Sequence, residues 1–199
     1  DSPNMASSSH VAYSDETHHN VGRYRGIGLV TIPHESANGS SAELRRLLDE
    51  SDVKEFQWKK FDSARERFAA CKMLEFALDQ IGVAPMRLDI LVWDTEDSRH
   101  KIRGRDDTGN LHRMYHHLFK HVLCERWPDG STWCLYPDEQ GEMDWESVDY
   151  FLDKVSDRFE APRDLFSGDK FRIRLKREFR VETITPVDSQ QEPLVQLAD

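Results

Sequence analysis

The order in which strand-like and helix-like stretches alternate narrows the fold of this chain more than any single motif does. Two strand-like runs follow one another near the N-terminus with no helix between them. Residues 10–15 (HVAYSD) alternate apolar and polar side chains, and residues 24–32 (YRGIGLVTI) are β-branched and close on Pro33. A short loop between them makes a hairpin. Every later strand-like run is preceded by a helical one, which is the arrangement that parallel crossovers need. A hairpin followed by helix–strand repeats predicts an α/β domain: a mixed sheet with helices on both faces, whose first strand is central.

The later elements read as follows. Leu44, Leu47 and Leu48 lie at helical spacing behind a serine run, giving a short helix over residues 41–50 with a serine cap. Residues 55–61 (EFQWKKF) alternate, as a third strand or an extended lead-in would. Asp62 and Ser63 can cap a longer helix that turns Ala64, Phe68, Cys71, Leu74, Leu78 and Ile81 inward and stops at Gly82. Residues 87–94 (RLDILVWD) are apolar enough for a strand buried on both faces at the sheet centre. Residues 98–109 are charged and loop-like. Residues 111–123 form a helix with Leu111, Met114, Tyr115, Leu118 and Val122 inside, and residues 132–138 a strand closed by Pro137. Residues 144–159 read as an acidic amphipathic helix and residues 170–185 as one or two strands with a basic face. Pro193 opens a last apolar run, LVQLAD. Either of the strands over 87–94 and 132–138 can lie parallel to the first, since both are apolar and end in Asp.

Composition closes several alternatives. With 38% hydrophobic and 32% charged residues and a mean hydropathy of -0.72, the chain is a folded, heavily solvated protein. No run approaches the ~18 apolar residues of a transmembrane helix, and no secretory layout opens the sequence, so the expected location is the cytoplasm. Residues 1–9 are polar and serine-rich and read as a disordered tag and N-terminal segment, with Met5 placed as a native start would be. Three cysteines without a CxxC pair fit neither a disulfide framework nor a cysteine zinc site, and are expected to be reduced and partly buried. A formal charge of -10 opposes a surface given over to polyanions. The same surplus of carboxylates suits a divalent cation.

Five acids stand out. Asp15, Asp94 and Asp138 each end a strand, where ligands gather in open sheets and where aspartate also simply opens turns. Glu55 can bind a cation or pair with Lys54 or Lys59. Asp199 would sit in the first turn of a terminal helix, where it also complements the helix dipole. Carboxylates gathered at one sheet edge repel unless neutralised, which favours Mg²⁺ or Mn²⁺. His112, His116, His117 and His121 form two i,i+4 pairs but lack the Glu of a zinc-protease helix, and read as surface histidines. His18 and His19 read as solvated loop residues that could also reach a phosphate or metal. Two basic clusters, Arg172/Arg174/Lys176 and residues 98–105, read as a guarded edge strand and a charged loop, or as phosphate contacts. No P-loop, GxSxG or Cys/His nucleophile pattern is present.

Four segments in order carry a family resemblance: YSDET at residues 13–17, EFQWKKF at 55–61, the helix over 115–123 followed by a strand ending in Asp138, and LVQLAD at 194–199. They are similar to the DES opening, the E-x-K-W segment, the Y-x-x-L-L helix with its aspartate-ended strand, and the closing L-x-Q-x-A-D of domain-of-unknown-function family 3800, an RNase H-like group. Thr17 replaces the usual Ser, and Gln57 a frequent Lys. The resemblance implies one RNase H-like domain over residues 10–199, with the family's closing helix either reduced or continuing beyond residue 199. It implies a metal-dependent nuclease that hydrolyses phosphodiester bonds of RNA or DNA by a two-metal mechanism. Asp15, Glu55, Asp138 and Asp199 would hold Mg²⁺ or Mn²⁺, with Asp94 a competing or additional catalytic acid. The alternative is a non-catalytic module of the same fold, a subunit of a bacterial phage-defence or toxin system.

Overall fold

The computed structural model describes residues 8–17, 22–83, 85–101, 103–104, 106–139, 143–156 and 178–199. Strands β1 (His10–Thr17) and β2 (Tyr24–Pro33) form the hairpin, paired antiparallel from His10 opposite Pro33 to Thr17 opposite Gly26. Helices α1 (His34–Glu50) and α2 (Ala64–Val83) lead to β3 (Arg87–Asp94), which pairs antiparallel with β2. Helix α3 (Asp107–Glu125) then carries the chain across to β4 (Ser131–Pro137), parallel to β1 on its other side. After α4 (Trp145–Ser156), β5 (Phe179–Ile184) adds in parallel to β4, and α5 (Pro193–Gln196) follows. The sheet order is β3-β2-β1-β4-β5, with only β2 running against the rest. Mixed direction, a central β1 and helices on both faces make this an RNase H-like α/β fold.

Side chains alternate across the sheet, so β1 serves two cores. Ala12 packs with Ile27, Leu29, Trp133 and Leu135 beneath α3 and α4. Val11 and Tyr13 face the opposite core, with Val30, Ile32, Leu44 and Leu48 and with Leu194 and Val195 of α5. Asp15 therefore points to the α5 side, and Glu16 to the α3 side.

Three expectations are corrected. The strand over 87–94 is at the sheet edge, and the flanking parallel strand is β4 alone. Trp93 and Leu91 pack toward α3, but on the other face only Leu88 reaches the core, leaving Ile90 77% and Val92 61% exposed. A continuous apolar run does not distinguish a covered strand from one whose second face is open. In α2 the buried side is Ala69, Ala70, Met73 and Ala77, whereas Phe68, Cys71, Leu74, Leu78 and Ile81 are exposed. Small residues let the helix approach its neighbours closely, so the bulkier stripe is turned out. Lys72 to Glu50 (2.7 Å) and Arg65 to Asp52 (2.5 Å) tie one flank of α2 to the end of α1. Helical geometry puts Leu74, Leu78 and Ile81 on the flank away from α1. Finally, α1 begins at His34, directly behind Pro33 and without a side-chain cap, because Ala37 and Ser40 are buried and His34 N donates to Ser9 O (3.0 Å).

Ser63 does cap α2, accepting from Glu66 N (3.1 Å). Residues 55–61 are an extended lead-in that closes in a 3-10 turn, Trp58–Lys60. Ser8 is buried and Ser9 N donates to Thr132 Oγ1 (2.9 Å), so residues 8 and 9 belong to the fold. Cys124 and Cys134 are half-buried. Among the described residues no helix is long and apolar enough to cross a membrane. Residues 1–7, His18, His19 and the basic run Arg172/Arg174/Lys176 lie outside the described residues.

Candidate functional site

At the C-terminal ends of β1 and β4 a cleft of about 460 Å³ opens on the α5 side of the sheet. Asp15, Glu16, Glu55 and Asp199 line it, drawn from three distant segments of the chain. Asp138 borders the same corner: its amide donates to Ser14 O (2.8 Å), continuing the β4 ladder by one residue alongside β1. The sheet thus delivers Asp15 and Asp138 on neighbouring parallel strands.

The other two acids are placed by the C-terminal segment. Glu192 caps α5 by accepting from Leu194 N (3.1 Å), and Leu194 and Val195 are fully buried, which seats the short helix on the α1 core. Gln196, also buried, accepts from Phe56 N (2.8 Å) and donates to Ser189 O (2.6 Å). Trp58 N donates to Asp199 Oδ2 (2.8 Å). These bonds clamp residues 55–58 to α5, and Ser189 Oγ donates to Glu55 Oε1 (3.3 Å). Gly28, directly opposite Asp15 on β2, makes the last approach possible. A Cβ there would lie 1.9 Å from Ala198 O, so any larger residue would push the 198–199 backbone off the sheet.

The electrostatics follow from this crowding. Burial, then the charges of Asp199, Asp138 and Glu16, push the Asp15 carboxyl up to about 8. Burial also raises Glu16, to about 7, against the lowering effect of the hydroxyl that Tyr115 donates to its Oε2. Glu16 Oε1 is buried with no hydrogen-bond partner among the described residues. Asp138 is raised by burial, moderated by hydrogen bonds from Glu139 and Ser189. Asp199 is raised by burial, moderated by the Trp58 amide and by Lys59. Such an all-oxygen donor set, underneutralised and partly desolvated, has the chemistry that a hard divalent cation takes. Among the described residues no three His, Cys, Asp or Glu side chains already close on a single point. The acids surround a cleft.

Of the five acids singled out in the sequence, the structure brings together Asp15, Glu55, Asp138 and Asp199. It places Asp94 apart, at the end of the edge strand opposite Tyr24, where Arg23 Nε and Nη2 hold its carboxylate (3.0 and 2.7 Å) and Glu96 N donates to it (2.9 Å). Ser189 was not anticipated, and Glu16 and Gln196 fall inside the DES-like and L-x-Q-x-A-D-like segments without a role assigned to either. His112 Nε2 accepts from Asp144 N (3.1 Å) at the start of α4, and His121 pairs with Glu125 (3.0 Å), so these two histidines have structural partners.

Fold and cleft together define an RNase H-like α/β domain with a carboxylate-lined site at the ends of its central strands. No family model matches the sequence. Two proteins of Methanothermobacter thermautotrophicus, Uncharacterized protein ORF2' and Uncharacterized protein ORF2, are 43% and 40% identical to it over 195 residues. Each match covers 94% of this chain and 63% of the relative, so the chain spans under two thirds of the length of these curated relatives. Among solved structures, that of the PCNA:RNase HII complex from Archaeoglobus fulgidus is similar with a TM-score of 0.49 at 14% identity, covering 94% of this chain and 67% of that one. A mutant Bst-RNase HIII gives 0.45 at 14%, covering 96% of this chain and 51% of that one.

Proposed function

We propose that this chain is a metal-dependent nuclease hydrolysing phosphodiester bonds of RNA or DNA, with Asp15, Glu55, Asp138 and Asp199 as the ligands of Mg²⁺ or Mn²⁺. The observation that carries the reading is the convergence of these four acids, from four separate parts of the sequence, on one corner of the sheet. Burying like charges together costs stability, and the fold gives them too few hydrogen bonds and cations of its own to offset it. Two bound cations would supply charge neutralisation, an activated water and stabilisation of the leaving oxygen.

The chain's own groups divide the remaining work. Asp15 and Asp138, fixed on adjacent strands, set the inner wall, and Glu55 and Asp199, held through Ser189 and the Trp58 amide, set the outer one. Glu16, oriented by Tyr115, faces the other side of β1 and raises the negative potential at Asp15. The ordered segments that resemble those of domain-of-unknown-function family 3800 fit the same assignment.

The test is a cleavage assay with Mn²⁺ or Mg²⁺ on labelled single-stranded RNA, double-stranded RNA, RNA–DNA hybrid and single-stranded DNA. Cleavage that disappears on chelation and in Asp15→Asn supports the reading. A folded protein inert on all four substrates with both metals overturns it. The second reading is a non-catalytic interaction module of the same fold; the one observation that favours it is the set of exposed apolar side chains on α2 and β3, which a protein partner could cover.

A further inference from the structure

Of the five tryptophans, Trp93, Trp127 and Trp133 are buried and Trp145 is half-buried, but Trp58 is 48% exposed. It stands on the lip of the carboxylate cleft. The indole stacks on Phe61, with ring centres 4.5 Å apart and planes 21° from parallel. Its backbone is fixed on both sides: Trp58 N donates to Asp199, and Trp58 O accepts from Phe61 N (3.0 Å). Arg67 Nε donates to Phe61 O (3.2 Å), with the guanidinium 5.9 Å from the Phe61 ring centre. A large, flat, rigidly mounted apolar surface therefore faces solvent beside the acids. Nothing in the fold's own packing requires it there, because Phe56, two residues earlier, already fills the core.

We propose that Trp58 is a stacking platform for an unpaired nucleobase, and hence that the strand held at the cleft is single-stranded at that point. The inference deepens the nuclease reading and rests on it for the class of ligand. A nucleotide combines what the two halves of this lip accept: a phosphodiester, taken by carboxylates through a cation, and a flat π face, taken by an indole. In a duplex both faces of each base are covered by its neighbours, so only an unpaired or terminal base can stack on the indole. Phe61 holds the ring in place before binding, so little conformational freedom is lost when a base adds to the stack. Every base has such a face, so the platform selects strandedness rather than sequence.

The experiment measures binding apart from cleavage. Fluorescence anisotropy is followed for labelled single-stranded RNA, single-stranded DNA, the matching duplexes, and a single strand of abasic sites, with Ca²⁺ present to neutralise the carboxylates. Wild type, Trp58→Ala and Trp58→Phe are compared, and Mn²⁺ cleavage is read separately on gels. Single strands should bind more tightly than duplexes. Trp58→Ala should weaken single-strand binding roughly ten-fold, with recovery in Trp58→Phe and no change on the abasic strand. RNA and DNA arms that respond alike identify the base as the contact. Equal single-strand binding by wild type and Trp58→Ala, an equal loss on abasic strands, or no single-strand binding by wild type would each overturn the platform. Trp58-dependent binding without cleavage by wild type keeps the platform and removes the nuclease reading, whereas cleavage with Trp58-independent binding does the reverse.

Discussion

Two corners of this molecule invert the usual partition of side chains, in opposite senses. Where β1 and β4 end, the fold buries carboxylates. Along α2 and β3, it exposes Phe68, Leu74, Leu78, Ile81, Ile90 and Val92. The first inversion is expensive, since desolvated like charges oppose folding and must be held by a surrounding framework: the Gln196 clamp, the Trp58 amide, the Ser189 hydroxyl. The second is cheap, because an apolar side chain left in water forgoes stabilisation but strains nothing. The difference separates a place where geometry is enforced from one where a surface is merely left uncovered.

The largest expected effect breaks the first corner. Asp15→Asn should reduce Mn²⁺-dependent cleavage to background while raising the metal-free melting temperature at neutral pH by at least ~2–4 °C, the shift that ~1 kcal/mol gives for a chain of this size. Calorimetry and the cleavage assay read the two halves separately. Loss of stability together with loss of activity would make Asp15 structural.

Next is Gly28→Ala, which should destabilise by about 1–3 kcal/mol in urea, because its Cβ meets the Ala198 backbone rather than a flexible side chain. The same substitution should weaken Mn²⁺ binding by displacing Asp199. An unchanged midpoint and affinity would show that the C-terminal segment does not need its seat on β2.

The pH dependence has a definite sign. With its folded value near 8, against an ordinary value near 3.8, Asp15 keeps its proton in the folded state while the unfolded chain loses it. Metal-free stability should therefore fall as pH rises from about 4 and level off above about 8. Mn²⁺ affinity should climb over the upper part of that range, with proton release on binding. A Mn²⁺ affinity flat from pH 6 to 9 would contradict the desolvated state of the site.

The smallest effects belong to the second corner. Leu78→Gln or Ile90→Thr should change unfolding free energy by no more than ~0.5 kcal/mol, whereas Met73→Ala, on the buried side of the same helix, should cost ~2–5 kcal/mol. If Leu78→Gln costs several kcal/mol, the exposed stripe is covered in solution and the contrast between the corners fails.

The sequence made the order of elements legible because periods of two and 3.6 are local properties. It therefore anticipated the hairpin, the central β1 and the helices on both faces, but left open which of the strands over 87–94 and 132–138 lies parallel to β1. Whether a hydrophobic side chain is covered depends on what lies across from it, and that is not local. RLDILVWD reads the same at the centre or the edge of a sheet, and in α2 the choice between the alanine face and the bulky stripe was made by how closely α1 and the sheet approach. Within the candidate site, Asp138 was visible at the close of its strand, whereas Asp15 lies inside β1, which runs two residues further to Thr17, and Glu55 and Asp199 stood out through the family-like segments that contain them. Ser189 was not visible, and Gln196 stood in the L-x-Q-x-A-D-like segment without a legible role, because both roles exist only once residues 55–58 and 189–199 meet. Glu16 was overshadowed by Asp15, although side-chain alternation placed it just as firmly on the opposite face.

The hydrogen bond from Trp58 to Asp199 joins residues 141 apart in sequence, and that from Phe56 to Gln196 joins residues 140 apart. Closing a loop of that length carries an entropy cost that a tight hairpin turn largely avoids. The β1–β2 hairpin can exist long before the cleft does. Until residues 193–199 have docked across Gly28, a partly folded molecule has an incomplete set of acids and an indole with no anchored partner beside it. The corner that could cut a strand is thus held together by contacts between distant segments: it exists only where residues 55–58 and 193–199 have met.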